Sequence, residues 1–178
     1  ELILRKYSRQ IKDGLIPNML SESGREANYD TIDATLWYII LVWKVGKRKE
    51  TENYWQEVIP MIEAIIRAMI GNVRYPYAIR PDGLIELNEE FSHASWMDVR
   101  IDGQAVNPRD GAPVEINALW YNAICAYESM HTGLQEITGK ASNPDPKIMS
   151  YKQKVLASFQ KFWTGEYLAD RLKGDLQV

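Results

Sequence analysis

Two stretches of the chain are apolar around nearly the whole circumference of a helix. Over 31–45, Ile32, Leu36, Ile39, Ile40 and Trp43 fall on one face and Trp37, Leu41 and Val45 on another. Over 114–137, Ile116, Leu119, Trp120, Ala123, Ile124, Tyr127, Met130 and Leu134 form the main stripe, and Asn117, Asn122 and Cys125 dilute the polar side. A helix of this kind has to be covered on both sides. Two further stretches keep one wet face. In 51–70, Trp55, Val58, Ile59, Ile62, Ile65, Ile66, Met69 and Ile70 oppose Glu57, Glu63 and Arg67. In 147–163, the apolar face is Ile148, Tyr151, Val155, Leu156, Phe159 and Phe162. Buried and amphipathic helices thus alternate along the chain. That order predicts an all-α fold of inner helices covered by outer ones, an α/α toroid of helical hairpins, with both inner N-termini on one side.

Local signals set the expected boundaries. The first helix spans 2–12 and stops at Asp13-Gly14. The polar segment 21–26 is expected to be mobile. Asp30 is the candidate N-cap of the first buried helix, and the Lys-rich run 44–49 turns the chain after it, since cations suit a helix C-terminus. Pro60 should kink or break the amphipathic helix. Residues 77–79 and 84–87 flank Arg80-Pro81-Asp82-Gly83 as one short β-hairpin. A long, mostly irregular connection leads to Pro113, which opens the second buried helix at its first position. Two prolines mark a turn over 141–146. Gly165 ends the last helix, and the tail 166–178 reads as loop or frayed structure.

At 178 residues the chain is expected to form one domain, 1–178. A net charge of −3 argues against a nucleic-acid binder, which needs a basic face. No apolar run approaches the ~20 residues of a membrane span. The one cysteine, Cys125, excludes an internal disulfide framework, fits a reducing, cytoplasmic setting and reads as a small buried hydrophobe. The chain begins at Glu1 with no visible signal peptide, and is expected to be a piece of something longer. Six Trp and ten Tyr either fill a core or stack on flat ligands such as sugar rings.

Polar and aromatic groups gather in 95–124. Asp98 follows Trp96 in a loop, Arg109 lies in a stretch punctuated by Pro and Gly, and Glu115 sits in the first turn of a helix, where free N–H groups and the macrodipole favour a carboxylate. Asp33 takes the same kind of position in the other buried helix. Two carboxylates at matching helix ends, near Trp37, Trp120 and Arg109, read as caps or as a sugar subsite. Arg109 either bridges Asp98 or Glu115 or donates to sugar oxygens. His93 and His131 are unsupported as metal ligands or triad members, and Asp82, Asp102 and Asp110, beside glycines, read as turn residues. No phosphate loop or zinc spacing is present, and no metal or cofactor is expected.

Two stretches resemble the C-terminal glucosidase domain of glycogen-debranching enzymes, the amylo-α-1,6-glucosidases. Ser95-Trp96-Met97-Asp98 is similar to that family's T-W-M-D. The run from Asn107 through Pro108, Arg109, Gly111 and Val114-Glu115-Ile116-Asn117-Ala118-Leu119-Trp120-Tyr121-Asn122-Ala123-Ile124 is similar to T-P-R-x-G-K-x-V-E-I-N-A-L-W-Y-N-A-L. Asn28-Tyr29-Asp30-Thr31-Ile32-Asp33-Ala34-Thr35-Leu36-Trp37-Tyr38 is similar to N-Y-x-S-x-D-A-x-L-W-F. Ser95, Asn107 and Ala112 depart from the pattern beside the acidic positions, not on them. Segments resembling the family's later R-P-N-Q and H-x-G-T-V-W are absent.

The resemblance implies an (α/α)6 barrel of six helical hairpins, of which this chain would form part. It also implies hydrolysis of α-1,6-glucosidic branch points in glycogen or branched α-glucan oligosaccharides. Inversion needs a protonated carboxyl at the leaving oxygen and an ionised one to activate water. Asp98 is the candidate acid, because an indole wall that excludes water favours a protonated carboxyl. Asp33, Trp37, Trp96, Arg109, Glu115 and Trp120 are candidates for substrate binding, and the general base is expected outside this chain. The rival readings are a glucoamylase- or trehalase-like hydrolase of the same fold and a non-catalytic glucan-binding or assembly fragment. A partial barrel would expose apolar faces, so self-association is expected.

Overall fold

The computed structural model describes residues 2–20, 27–72 and 76–178. The polar segment 21–26 lies outside them. Among the described residues the α-helices are α1 (Leu2–Ser8), α2 (Asp33–Lys49), α3 (Glu52–Gly71), α4 (Val114–Thr138) and α5 (Pro146–Phe159). The strands pair antiparallel: β1 (Met19–Leu20) with β2 (Ala27–Asn28), β3 (Tyr77–Ile79) with β4 (Ile85–Leu87), and β5 (Arg100–Ile101) with β6 (Gln104–Ala105). β7 (Ala112–Pro113), β8 (Arg171–Lys173) and β9 (Leu176–Gln177) form a three-stranded sheet. The fold is mostly α with small antiparallel sheets.

The four-helix core follows the apolar periodicity. Leu36 and Ile39 of α2, Ile62, Ile66 and Met69 of α3, and Ile116, Trp120 and Ile124 of α4 are fully buried together. α2 and α4 run parallel. Ile32, just ahead of α2, donates its N–H to Ala94 O at 3.2 Å, and two residues earlier Ser92 O accepts from Arg109 N, just ahead of α4, at 2.7 Å. At the other end the Trp55 indole of α3 lies against both Gly46 of α2 and Gly133 of α4. A Cβ on Gly46 would come within 2.2 Å of that ring. The helix-interior glycine costs about 1 kcal/mol in propensity, and the indole needs the space it leaves.

Several boundaries differ from expectation. α1 stops at Ser8 rather than Lys12, with Leu2 and Ile3 exposed. α2 starts at Asp33 and continues through Lys49, so the Lys-rich run is its last turn and Glu50, at φ 49°, reverses the chain. Its N-cap is Ile32, without a side-chain cap; Asp30 instead accepts from Arg100 at 2.7 Å. α3 passes through Pro60 unbroken; the proline is on its exposed side, where the carbonyl that loses an N–H partner meets water. Pro113 is the extended N-cap of α4, not its first helical residue. α5 begins at Pro146 behind a true side-chain cap, Asp145 Oδ1 accepting from Lys147 N at 2.7 Å, and gives way to a 3-10 turn over Gln160–Phe162.

The expectation of one hairpin is corrected. β5–β6 turns on Asp102 and Gly103, both at positive φ, as a two-residue hairpin demands. The tail is not frayed: β8 pairs with β7 and β9 with β8. Asp110 binds Arg171 and Lys173, and Arg80, Asp82, Lys161 and Asp175 form a second charged cluster over the tail. Leu87 and Gly111 exchange backbone hydrogen bonds and join the β3–β4 hairpin to this sheet. Gly111 is obligatory, since a Cβ would meet Leu172 O at 2.3 Å.

α2 and α4 are not the best-covered pair either. α3, with 8 of its 20 residues buried, is covered as well as α2, with 7 of 17, and better than α4, with 9 of 25. Trp37 and Leu41 leave one apolar face of α2 open, and Ala118 is exposed on α4. Cys125 is half-buried rather than buried.

Candidate functional site

The open face of α2 forms one wall of a cleft of about 400 Å3. Asp33, Trp37 and Leu41 come from α2, Ser95, Trp96 and Asp98 from the loop after the β3–β4 hairpin, Asn18 and Thr31 from the segments ahead of α2, and Leu4 and Tyr7 from α1. Asp33, Trp37 and Leu41 share a face because they are four residues apart on a helix. The opposite loop is held by Ile32 N bonding to Ala94 O and by a turn in which the fully buried Ser95 Oγ accepts from Met97 N at 3.4 Å. Behind it His93 is buried, and burial, with a smaller push from Arg100, lowers its pKa. The loop at 15–18 is tied to α2 by Ile16 N donating to Thr35 Oγ1 at 2.9 Å.

The cleft thus presents two indoles, Trp37 and Trp96, 47% and 62% exposed, and two carboxylates. Aromatic faces suit the apolar side of a pyranose and carboxylates suit its hydroxyls. Among the described residues no Lys or Arg lines the cleft. Asp98 is exposed and accepts a long hydrogen bond, 3.4 Å, from Asn18 Nδ2. The expected water-excluding environment is therefore not built around it by these residues: Trp96 is turned to solvent instead of closing over the carboxyl.

Arg109, Glu115 and Trp120 do not join the cleft. Trp120 has no exposed surface and donates Nε1–H to Gly83 O at 3.3 Å, so it is a core side chain with no face for a sugar. Arg109 is nearly buried and bridges two carboxylates, reaching Glu115 through Nε (2.9 Å) and Nη2 and both oxygens of Asp170 through Nη1 at 3.0 Å. Burial opposes its charge, but the two carboxylates outweigh it and hold the guanidinium pKa above its ordinary value. Of the roles open to Arg109, the fold gives it the bridge, to Glu115 and Asp170 and not to Asp98. Glu115 is spent on that bridge, which locks the start of α4 to the C-terminal tail.

Sequence reasoning passed over Asn18, Thr31, Ser95 and Asn117. Thr31 and Ser95 lie inside the two motifs, within three residues of Asp33 and Asp98, and that proximity was a usable signal. Asn18 had none. Asn117 looked like a diluted polar position, yet it is fully buried and makes three hydrogen bonds to backbone. His131 is also buried, its Nδ1 2.8 Å from Ser142 Oγ and its Nε2 without a partner. Among the described residues no group of His, Cys, Asp or Glu could hold a metal ion, and no helix is long and apolar enough to cross a membrane.

The model of the amylo-alpha-1,6-glucosidase family matches residues 1–177. The chain belongs to that family. Neither curated proteins nor solved structures gave a match. As an amylo-alpha-1,6-glucosidase family member the chain is a glycosidase-like domain of glucan metabolism, and the cleft is the place in it where the two family-like motifs meet: Asp33 and Trp37 come from one, Trp96 and Asp98 from the other.

Proposed function

We propose that this chain carries part of the active site of an α-1,6-glucosidase acting on branch points of glycogen-like glucans by inversion. The supporting observation is the convergence of Asp33, Trp37, Trp96 and Asp98 on one cleft from segments about sixty residues apart. Trp37 and Trp96 stack on glucose rings, and Asp33, at the N-terminal end of α2, accepts hydroxyl hydrogen bonds. Asp98 protonates the glycosidic oxygen. The rest of the toroid closes over it and supplies the dry wall that the described residues do not build. The general base comes from outside these residues and stands about 6.5–9.5 Å from Asp98, with a water between.

Asp98→Asn in the whole enzyme tests this. It keeps the side-chain shape and removes the acid proton, so turnover on branched glucan should fall at least ~100-fold with binding little changed. Glucosyl fluoride, whose leaving group needs little protonation, should lose much less. Equal loss on both substrates, or loss on neither, removes Asp98 from the acid role.

A further inference from the structure

A second groove, of about 440 Å3, lies between the C-terminal turns of α2 and α4. Its floor is Trp55, 2% exposed. Among the described residues nothing accepts from the Trp55 Nε1–H, yet that nitrogen is not sealed off as Thr31 Oγ1 and Asn18 Oδ1 are. It reaches the groove beside Gly133, where a Cβ would stand 3.2 Å from it. A buried indole N–H ordinarily has an acceptor. The walls have the opposite polarity. Ser129 and Thr132 give their hydroxyl protons to Cys125 O (2.9 Å) and Glu128 O (3.4 Å), so each oxygen meets a ligand only as an acceptor. Glu50 and Glu136 also line the groove, and neither forms an ion pair among the described residues. A helix C-terminus favours cations. α2 ends on Lys47, Arg48 and Lys49, but α4 has no basic residue in its last turn and carries Glu136 there. Among the described residues Lys47 is the one cation on the lining, and its ammonium is turned onto the Trp43 ring, 5.3 Å from the centroid.

We propose that this groove docks a basic peptide segment of a partner protein, with a backbone carbonyl on Trp55 Nε1 and an arginine or lysine side chain turned to Glu50 and Glu136. The indole N–H only donates and needs an acceptor, whereas the carboxylates and hydroxyls need donors. A peptide brings both. An anion would satisfy the floor and be repelled by the rim, and a simple cation would leave the floor unpaired. A neutral sugar also carries both kinds of group, but only a full positive charge offsets two unpaired carboxylates beside a helix C-terminus. Trp43 and Ile137, the latter 41% exposed, give apolar contact to the rest of the segment. The site stands apart from the glucosidase reading. Among the described residues none lines both groove and cleft, and α2 rises about 21 Å from Asp33 to Lys47.

The test is nuclear magnetic resonance of the nitrogen-labelled chain, read at the indole N–H of Trp55. The probes are N-acetyl-L-arginine amide and N-acetyl-L-glutamate amide, which share their carbonyls and differ in side-chain charge. At millimolar concentration the arginine probe should move the Trp55 signal downfield, as an N–H moves on gaining an acceptor, and leave the Trp37 and Trp96 signals in place. The glutamate probe should move none of them. Glu136→Gln should weaken the arginine probe about two- to fivefold, the range of an exposed ion pair. Its melting temperature should hold or rise, because it takes an acid from the C-terminus of α4. Added salt should weaken the probe in wild type more than in the variant. A Trp55 signal that the arginine probe leaves unmoved overturns the site. Equal response to the two probes, or undiminished binding in both Glu136→Gln and Glu50→Gln, overturns the basic ligand. Panose, a neutral trisaccharide, moving the Trp55 signal where the arginine probe does not would make the groove a sugar site and overturn the proposal.

Discussion

Asn117 should be among the most costly polar residues to lose, although it touches no ligand. Its side chain is fully buried in the first turn of α4. Oδ1 accepts from Ile85 N at 2.7 Å, and Nδ2 donates to Ile85 O at 3.0 Å and to Pro113 O at 2.9 Å. One amide thereby acts as an extra strand partner for β4 and closes the entry of α4. Asn117→Ala deletes three hydrogen bonds at about 1 kcal/mol net each, and the Ile85 N–H is left buried without an acceptor, so the expected loss is about 3–4 kcal/mol. That is a large share of the ~5–15 kcal/mol a domain has. Asn117→Asp should be no better, because it keeps the acceptor but sets a carboxylate oxygen against two carbonyl oxygens. Urea denaturation gives the stability change, and hydrogen exchange at the Ile85 amide shows whether the loss is local to β4. A loss under about 1 kcal/mol for Asn117→Ala, or unchanged protection at Ile85, would refute the three-bond account.

Arg109→Met leaves Glu115 and Asp170 unpaired and should cost about 2 kcal/mol, below the ~3–5 of a fully buried pair because Asp170 is 60% exposed; faster proteolytic cutting in 164–178 would locate the damage at the tail. Trp37→Ala should weaken oligosaccharide binding with little change in melting temperature, whereas Trp120→Ala should cost about 3–5 kcal/mol; the opposite pattern would move the cleft away from α2. Burial depresses the His131 pKa, with Glu63 partly opposing. Its contribution to stability is therefore fully present above the unfolded value near 6.5 and declines as pH falls through the folded value. Denaturation midpoints between pH 7.5 and 5 should drop less in His131→Phe than in wild type.

The helices were legible because their signal is local. Apolar residues at helical spacing over 114–137 and 51–70 leave few other ways to bury so much surface, and the observed α4 and α3 match those spans to within a residue at each end. The β3–β4 hairpin was legible for the same reason, since Pro81-Asp82-Gly83 carries its turn in sequence. The family motifs pointed to Asp33, Trp37, Trp96 and Asp98, which the cleft gathers. They pointed equally to Arg109, Glu115 and Trp120, which it does not.

Sequence by itself determined which segments are helical and which residues are apolar enough to need cover, because periodicity is a property of neighbours along the chain. Only the tertiary structure decided what the polar residues of the motifs do. Glu115 and Asp33 look alike in sequence, each an acid in the first turn of an apolar helix. They part because Arg109 folds back onto Glu115 and is completed by Asp170 from the far end of the chain, while Asp33 opens onto the cleft. The same holds for the tail, whose strands exist because β7 offers an edge and Asp110 a carboxylate to Arg171 and Lys173, roughly sixty residues away. Hydrogen bonds and ion pairs are won by whichever partner arrives in three dimensions, and no local pattern records that arrival.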